Sequence, residues 1–174
     1  AVLAALLASG GTVAADRLWA DADQAAVTGT SEQQARDTDA APVVQADASA
    51  PNWTATAAAV SPSVVAITAT SSQGGGQGSG VIIDAEGHVL TNNHVVAGAQ
   101  QLTVTTSAGR TFEAEIRGTD PSTDLAVITI AGNPSNLTPV AVGDSDDLAV
   151  GDPVMAVGNP LGLAGTVTTG IVSA

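Results

Sequence analysis

Two residues of this chain have the types and spacing to do chemistry together. His94 stands in Val89-Leu90-Thr91-Asn92-Asn93-His94-Val95-Val96, where an extended run gives way to a short turn before Gly98, so its imidazole can project from the rim of a sheet. Asp124 follows thirty positions later and opens the apolar run Leu125-Ala126-Val127-Ile128-Thr129-Ile130. An unpaired carboxylate in such a strand would be heavily penalised by desolvation, so something should hold it. A histidine Nδ1–H is a natural partner. That bond would fix the imidazole tautomer and leave Nε2 free to take a proton from a hydroxyl nucleophile.

Composition removes most rival chemistries. The 174 residues carry 17 acids against four arginines, with no lysine, for a formal net charge of −13. That excess argues against a nucleic-acid binder and against attachment to anionic lipid by charge. Without lysine there is neither a P-loop lysine nor Schiff-base chemistry. The absence of cysteine removes disulfides, thiol catalysis and cysteine zinc sites, and two histidines leave little for a metal cluster. No cofactor is expected. Gly74-Gly75-Gly76-Gln77-Gly78-Ser79-Gly80 fails the dinucleotide spacing and reads as a mobile loop before a strand. Asp144-Ser145-Asp146-Asp147 lacks the later ligands of a calcium loop and reads as an acidic turn. His88 reads as an exposed hairpin residue, Asp120 before Pro121 as a loop-former, and Asn92 and Asn93 as shaping the backbone around His94.

The elements that must position the pair are strands. Ser63–Ala69, Gly80–Asp84, His88–Asn92, Leu102–Thr106, Thr111–Arg117 and Asp124–Ile130 are short β-branched runs. Asp84-Ala85-Glu86-Gly87 and Ser107-Ala108-Gly109-Arg110 supply hairpin turns. In the fifth run Phe112, Ala114 and Ile116 alternate with Glu113, Glu115 and Arg117, the period of a half-buried strand. Six strands at such spacing predict a small antiparallel barrel or sandwich, and no helical segments separate them as a doubly wound fold requires. After a loop to Leu148, the runs Pro153–Val157 and Thr166–Val172 begin a further β unit. Its apolar edges lack partner strands, which predicts disorder or aggregation beyond about Val150.

Before the strands, residues 1–15 carry no charge and begin with a continuous apolar run, read first as the end of a membrane anchor. A signal-peptide core cut near Val13-Ala14-Ala15, or an ordinary buried helix end, are the alternatives. Residues 16–58 are rich in Ala, Asp, Gln, Ser and Thr and read as a flexible acidic tether, with Trp53 as its docking point.

The order of motifs carries a resemblance. Thr91-Asn92-Asn93-His94-Val95-Val96, Asp124-Leu125-Ala126-Val127, Gly143-Asp144-Ser145, Val157-Gly158-Asn159-Pro160-Leu161-Gly162 and Val167-Thr168-Thr169-Gly170-Ile171-Val172-Ser173-Ala174 together resemble the HtrA/Deg family of trypsin-like serine endopeptidases. The resemblance implies an all-β fold of two antiparallel barrels with the active site between them: the first barrel over 59–142, the second begun over 143–174. It implies His94 as general base and Asp124 as the residue that orients it. The nucleophilic serine of a Gly-Asn-Ser-Gly-Gly motif is absent here and is expected beyond Ala174. It further implies an extracytoplasmic endopeptidase acting on unfolded or misfolded polypeptides and, as a family expectation, a homotrimer; attachment to the membrane rests on the reading of residues 1–15, with secretion after signal cleavage as the alternative. For the loop at Gly74–Gly80 it implies a part in regulation and assembly. A protease-fold binding or chaperone module without a nucleophile is the competing reading.

Overall fold

The computed structural model describes residues 50–72, 74–132, 134–159 and 165–173. The segment 1–49, with the apolar run, Trp19 and most of the acidic stretch, lies outside the described residues. Among the described residues no helix is long and apolar enough to cross a membrane.

Six strands close into an antiparallel barrel in the order β1-β2-β3-β6-β5-β4, with β4 returning to β1. They are β1 (Val64–Ser71), β2 (Gly74–Ile82), β3 (His88–Asn92), β4 (Gln101–Thr105), β5 (Thr111–Asp120) and β6 (Leu125–Ile130). Closure is possible because each strand turns one set of alternate residues inward. Val65, Ile67, Ile82, Val89, Val96, Val104 and Ile128 are essentially inaccessible and, with almost no aromatic residues to fill space, pack as interlocking branched aliphatics. Gly87, at φ +92°, closes the β2–β3 turn in a conformation that a side chain would resist.

The glycine run is not a loop. Gly74 to Val81 pair with Ser71 back to Val64 along the whole of β1. At the inner end of this run the barrel leaves no room for a side chain: a Cβ on Gly80 would lie 2.5 Å from Val89 Cγ1, and one on Gly78 2.5 Å from Val95 Cγ2, whereas residues 74–77 are exposed.

The expected tether also ends earlier than residue 58. Trp53–Val60 forms helix α1, whose start is capped by Asn52 accepting from the Ala55 N–H at 3.0 Å. Trp53, Ala57 and Val60 pack with Val64, Met155 and Val157, so the helix covers the junction between β1 and the last hairpin. That hairpin, β7 (Pro153–Gly158) with β8 (Thr166–Ile171), forms where disorder was expected. Burial of Met155 and Val157 on β7 anchors it, while β8 is exposed throughout. Ile116 departs from the half-buried alternation and is 43% exposed. β4 pairs with β5 only as far as Ala114, so Ile116 has a strand on one side alone, opposite Ile128 of β6 and just before the register shift to Gly118.

Candidate active site

His94 is carried by α2 (Asn93–Val96), a single helical turn at the end of β3. Val95 and Val96 on this turn are buried in the end of the barrel, which leaves the preceding residue facing outward. Asp124 comes from the turn between β5 and β6, one residue before β6 begins. Because Asn92 pairs with Leu125 across β3 and β6, the end of one strand and the start of the other arrive side by side. The Asn93 N–H then donates to the Asp124 carbonyl at 3.0 Å and completes the junction.

The side chains meet in two-point contact. The His94 backbone N–H donates to Asp124 Oδ1 at 2.9 Å, and His94 Nδ1 lies 2.7 Å from Asp124 Oδ2. Asn92 Nδ2 donates to Asp124 Oδ2 and to the Asp124 carbonyl, each at 3.2 Å. The His94 backbone N–H first, and its ring second, hold the Asp124 carboxyl below its ordinary range. An ionised carboxylate only accepts, so Nδ1 bears the proton and Nε2 is the bare nitrogen. Nε2 makes no hydrogen bond among the described residues. A hollow of about 260 Å³ adjoins the ring, lined by Thr70, Gly75, Gly76, Val95 and Ala97.

One expectation is corrected. Asp124 is not buried: its side chain is 44% exposed and that of His94 59%. It precedes the apolar strand instead of lying in it, and Leu125 itself is 43% exposed at the barrel rim. Among the described residues, hydrogen bonds hold this carboxylate.

The sequence reading also missed two partnerships. Asn92 does more than shape the backbone, because its amide grips the acid. His88 is half-buried, not an exposed hairpin residue: its N–H donates to Asp84 Oδ1 at 3.0 Å, and its Nδ1 lies 2.6 Å from Asp84 Oδ2. The signal was an aspartate four residues before a histidine across a tight turn. Asp120 accepts from the Ser122 hydroxyl and N–H and from the Thr123 hydroxyl, and sits at about 2 for that reason. Asp144 caps the short turn Ser145–Asp147 by accepting from the Asp146 N–H at 2.9 Å. Among the described residues no three His, Asp or Glu side chains are grouped to hold a metal ion.

Residues 78–174 match the family model of the trypsin-like peptidase domain. The chain belongs to this family, in its HtrA/Deg group. Serine protease PepD of Mycobacterium tuberculosis is 49% identical over 127 residues, covering 68% of this chain and 27% of PepD. The periplasmic serine endoprotease DegP of Escherichia coli is 55% identical over 109 residues, covering 58% of this chain and 23% of DegP. Among solved structures, an HtrA-type protease AlgW with tripeptide superposes with a TM-score of 0.66 at 43% identity, covering 71% of this chain and 40% of that one. The chain thus spans about a quarter of the length of these curated trypsin-like relatives. The closed six-stranded barrel is the trypsin-like architecture that the motif order implied.

Proposed function

We propose that the whole protein is a serine endopeptidase of the cell envelope that hydrolyses peptide bonds of unfolded or misfolded polypeptides. His94 is its general base and Asp124 the residue that orients that base. The observation that carries this reading is the 2.7 Å contact between His94 Nδ1 and Asp124 Oδ2, on a histidine whose side chain is 59% exposed. A bare Nε2 can accept a serine hydroxyl proton as the oxygen attacks a carbonyl carbon. The resulting imidazolium, stabilised by the Asp124 carboxylate, then protonates the leaving amine, and water repeats the cycle on the acyl-enzyme. The nucleophilic serine and the amides that stabilise the oxyanion come from sequence outside these residues. Residues 143–174 are the start of the second barrel that brings them.

The names of the relatives support the location and the endopeptidase activity. DegP is called a periplasmic serine endoprotease, and a DegQ relative a periplasmic pH-dependent serine endoprotease. Residues 1–15 serve as the membrane attachment, and the assembled enzyme is a homotrimer.

Substitution tests the reading. His94→Ala in the full-length protein should lower kcat on an unfolded protein substrate by about 10⁴-fold or more while its thermal unfolding stays cooperative. Undiminished turnover by that variant refutes the assignment.

A further inference from the structure

Asp124 has an uncommon backbone conformation. Its φ of 56° lies in the left-handed region, which carries strain for most residues with a side chain and least for Asn and Asp. The Asn92 amide reaches both ends of that residue, donating to its carbonyl oxygen and to Oδ2, the carboxylate oxygen that also meets His94 Nδ1. The amide has only one workable orientation. Turned over, Oδ1 would face a carbonyl and an ionised carboxylate with no proton between them. In the orientation that remains, Asn92 Oδ1 is buried and has no hydrogen-bond partner among the described residues, so the contacts the side chain makes there run through its N–H₂. What the residue supplies is an N–H₂ aimed at the acid.

We propose that Asn92 is a positioning residue of the His94–Asp124 pair: its amide ties the left-handed backbone of Asp124 to its carboxylate and so keeps Oδ2 in line with His94 Nδ1. It touches neither substrate nor reacting atoms. By holding the acceptor still, it keeps the proton on Nδ1 and Nε2 bare. The kinetic consequence rests on the peptidase reading; the positioning itself does not.

The chain contains its own control. His88 meets Asp84 through the same two contacts, backbone N–H to one carboxylate oxygen and Nδ1 to the other; the acid's further donor is the Glu86 backbone N–H, not a side-chain amide. Asn92→Ala removes the donor, and Asn92→Asp keeps the shape while replacing the donor by an acceptor. ¹⁵N-detected NMR of the imidazole nitrogens at neutral pH reads the tautomer of each histidine in the same sample. The expected result is that His94 moves from a single Nδ1–H form to a mixture of tautomers in both variants, with His88 unchanged. In the full-length protein, Asn92→Ala should lower kcat about 10- to 100-fold with KM altered less than about twofold. An unaltered His94 tautomer in both variants overturns the proposal. So does a parallel change at His88 and His94, which would make the amide a strut of the whole barrel. Altered His94 in a full-length protein whose unsubstituted form has no turnover would sink the peptidase reading and leave the positioning role standing.

Discussion

Gly78→Ala probes how the barrel interior sets the site. A methyl at Gly78 would lie 2.5 Å from Val95 Cγ2 and 2.8 Å from Cγ1, where ordinary contact begins near 3.4 Å. Something must therefore yield by about 1 Å, against steeply rising repulsion. Val95 is β-branched, buried and on a one-turn helix, so rotation about χ1 offers little relief and α2 itself must shift. Overpacking of this kind costs about 1–3 kcal/mol. Because His94 precedes Val95, the same shift should stretch the 2.7 Å contact with Asp124, and a displacement near 1 Å can lower a rate by about 10²-fold. Val95→Ala removes both offending methyls and by itself should cost about 1.5–3 kcal/mol for lost burial and a cavity. Urea denaturation of the two single variants and the double variant closes the cycle. The pair should be less destabilised than the two losses combined, by at least about 1 kcal/mol. Strict additivity would refute the steric account, and an unshifted stability in Gly78→Ala alone would do so more simply.

Two further outcomes follow from single hydrogen bonds. Ser79 Oγ accepts from the Asn159 N–H at 2.8 Å in a buried position, joining β2 to the end of β7 across 80 residues of chain. Ser79→Ala leaves that N–H unpaired, so stability should fall by about 1–3 kcal/mol and amide exchange should quicken at Asn159 and along β7 but not in β1; uniform quickening would contradict this. Asp120 is lowered from 3.8 to about 2, first by the Ser122 hydroxyl and then by Thr123 and the Ser122 N–H. A depressed folded value means that its stabilising effect is complete above the unfolded value of 3.8 and is lost as pH falls through about 2. Ser122→Ala should raise the carboxyl midpoint toward 3.8 in a ¹³C titration, and a midpoint still near 2 would assign the shift to the other donors.

The strands were legible wherever side chains alternate. His88–Asn92 and the Gly87 turn emerged with their observed bounds because bulky residues and a positive-φ glycine leave local signatures. β2 was legible only from Gly80 on, since Gly74–Gly78 offer a single side chain, that of Gln77, and so nothing to alternate; the need for glycine at Gly78 lies in Val95, 17 residues on. Helix α1 was missed because WTATAAAV has no apolar stripe; Asn52 marked its start, but what orders it is Met155 and Val157, about a hundred residues away. At the site, the pairing of His94 with Asp124 could be read from type and spacing. Their exposure and the Asn92 grip could not, because both depend on where β6 begins relative to β3.

One strand carries an acid-held imidazole near each end, and the two differ most in when they can come into being. The His88–Asp84 contact spans four residues and is available once a single hairpin has turned; the His94–Asp124 contact spans thirty and has no meaning until β6 has zipped against β3. The second imidazole therefore meets its acid only after the long-range pairing of β3 with β6 has formed.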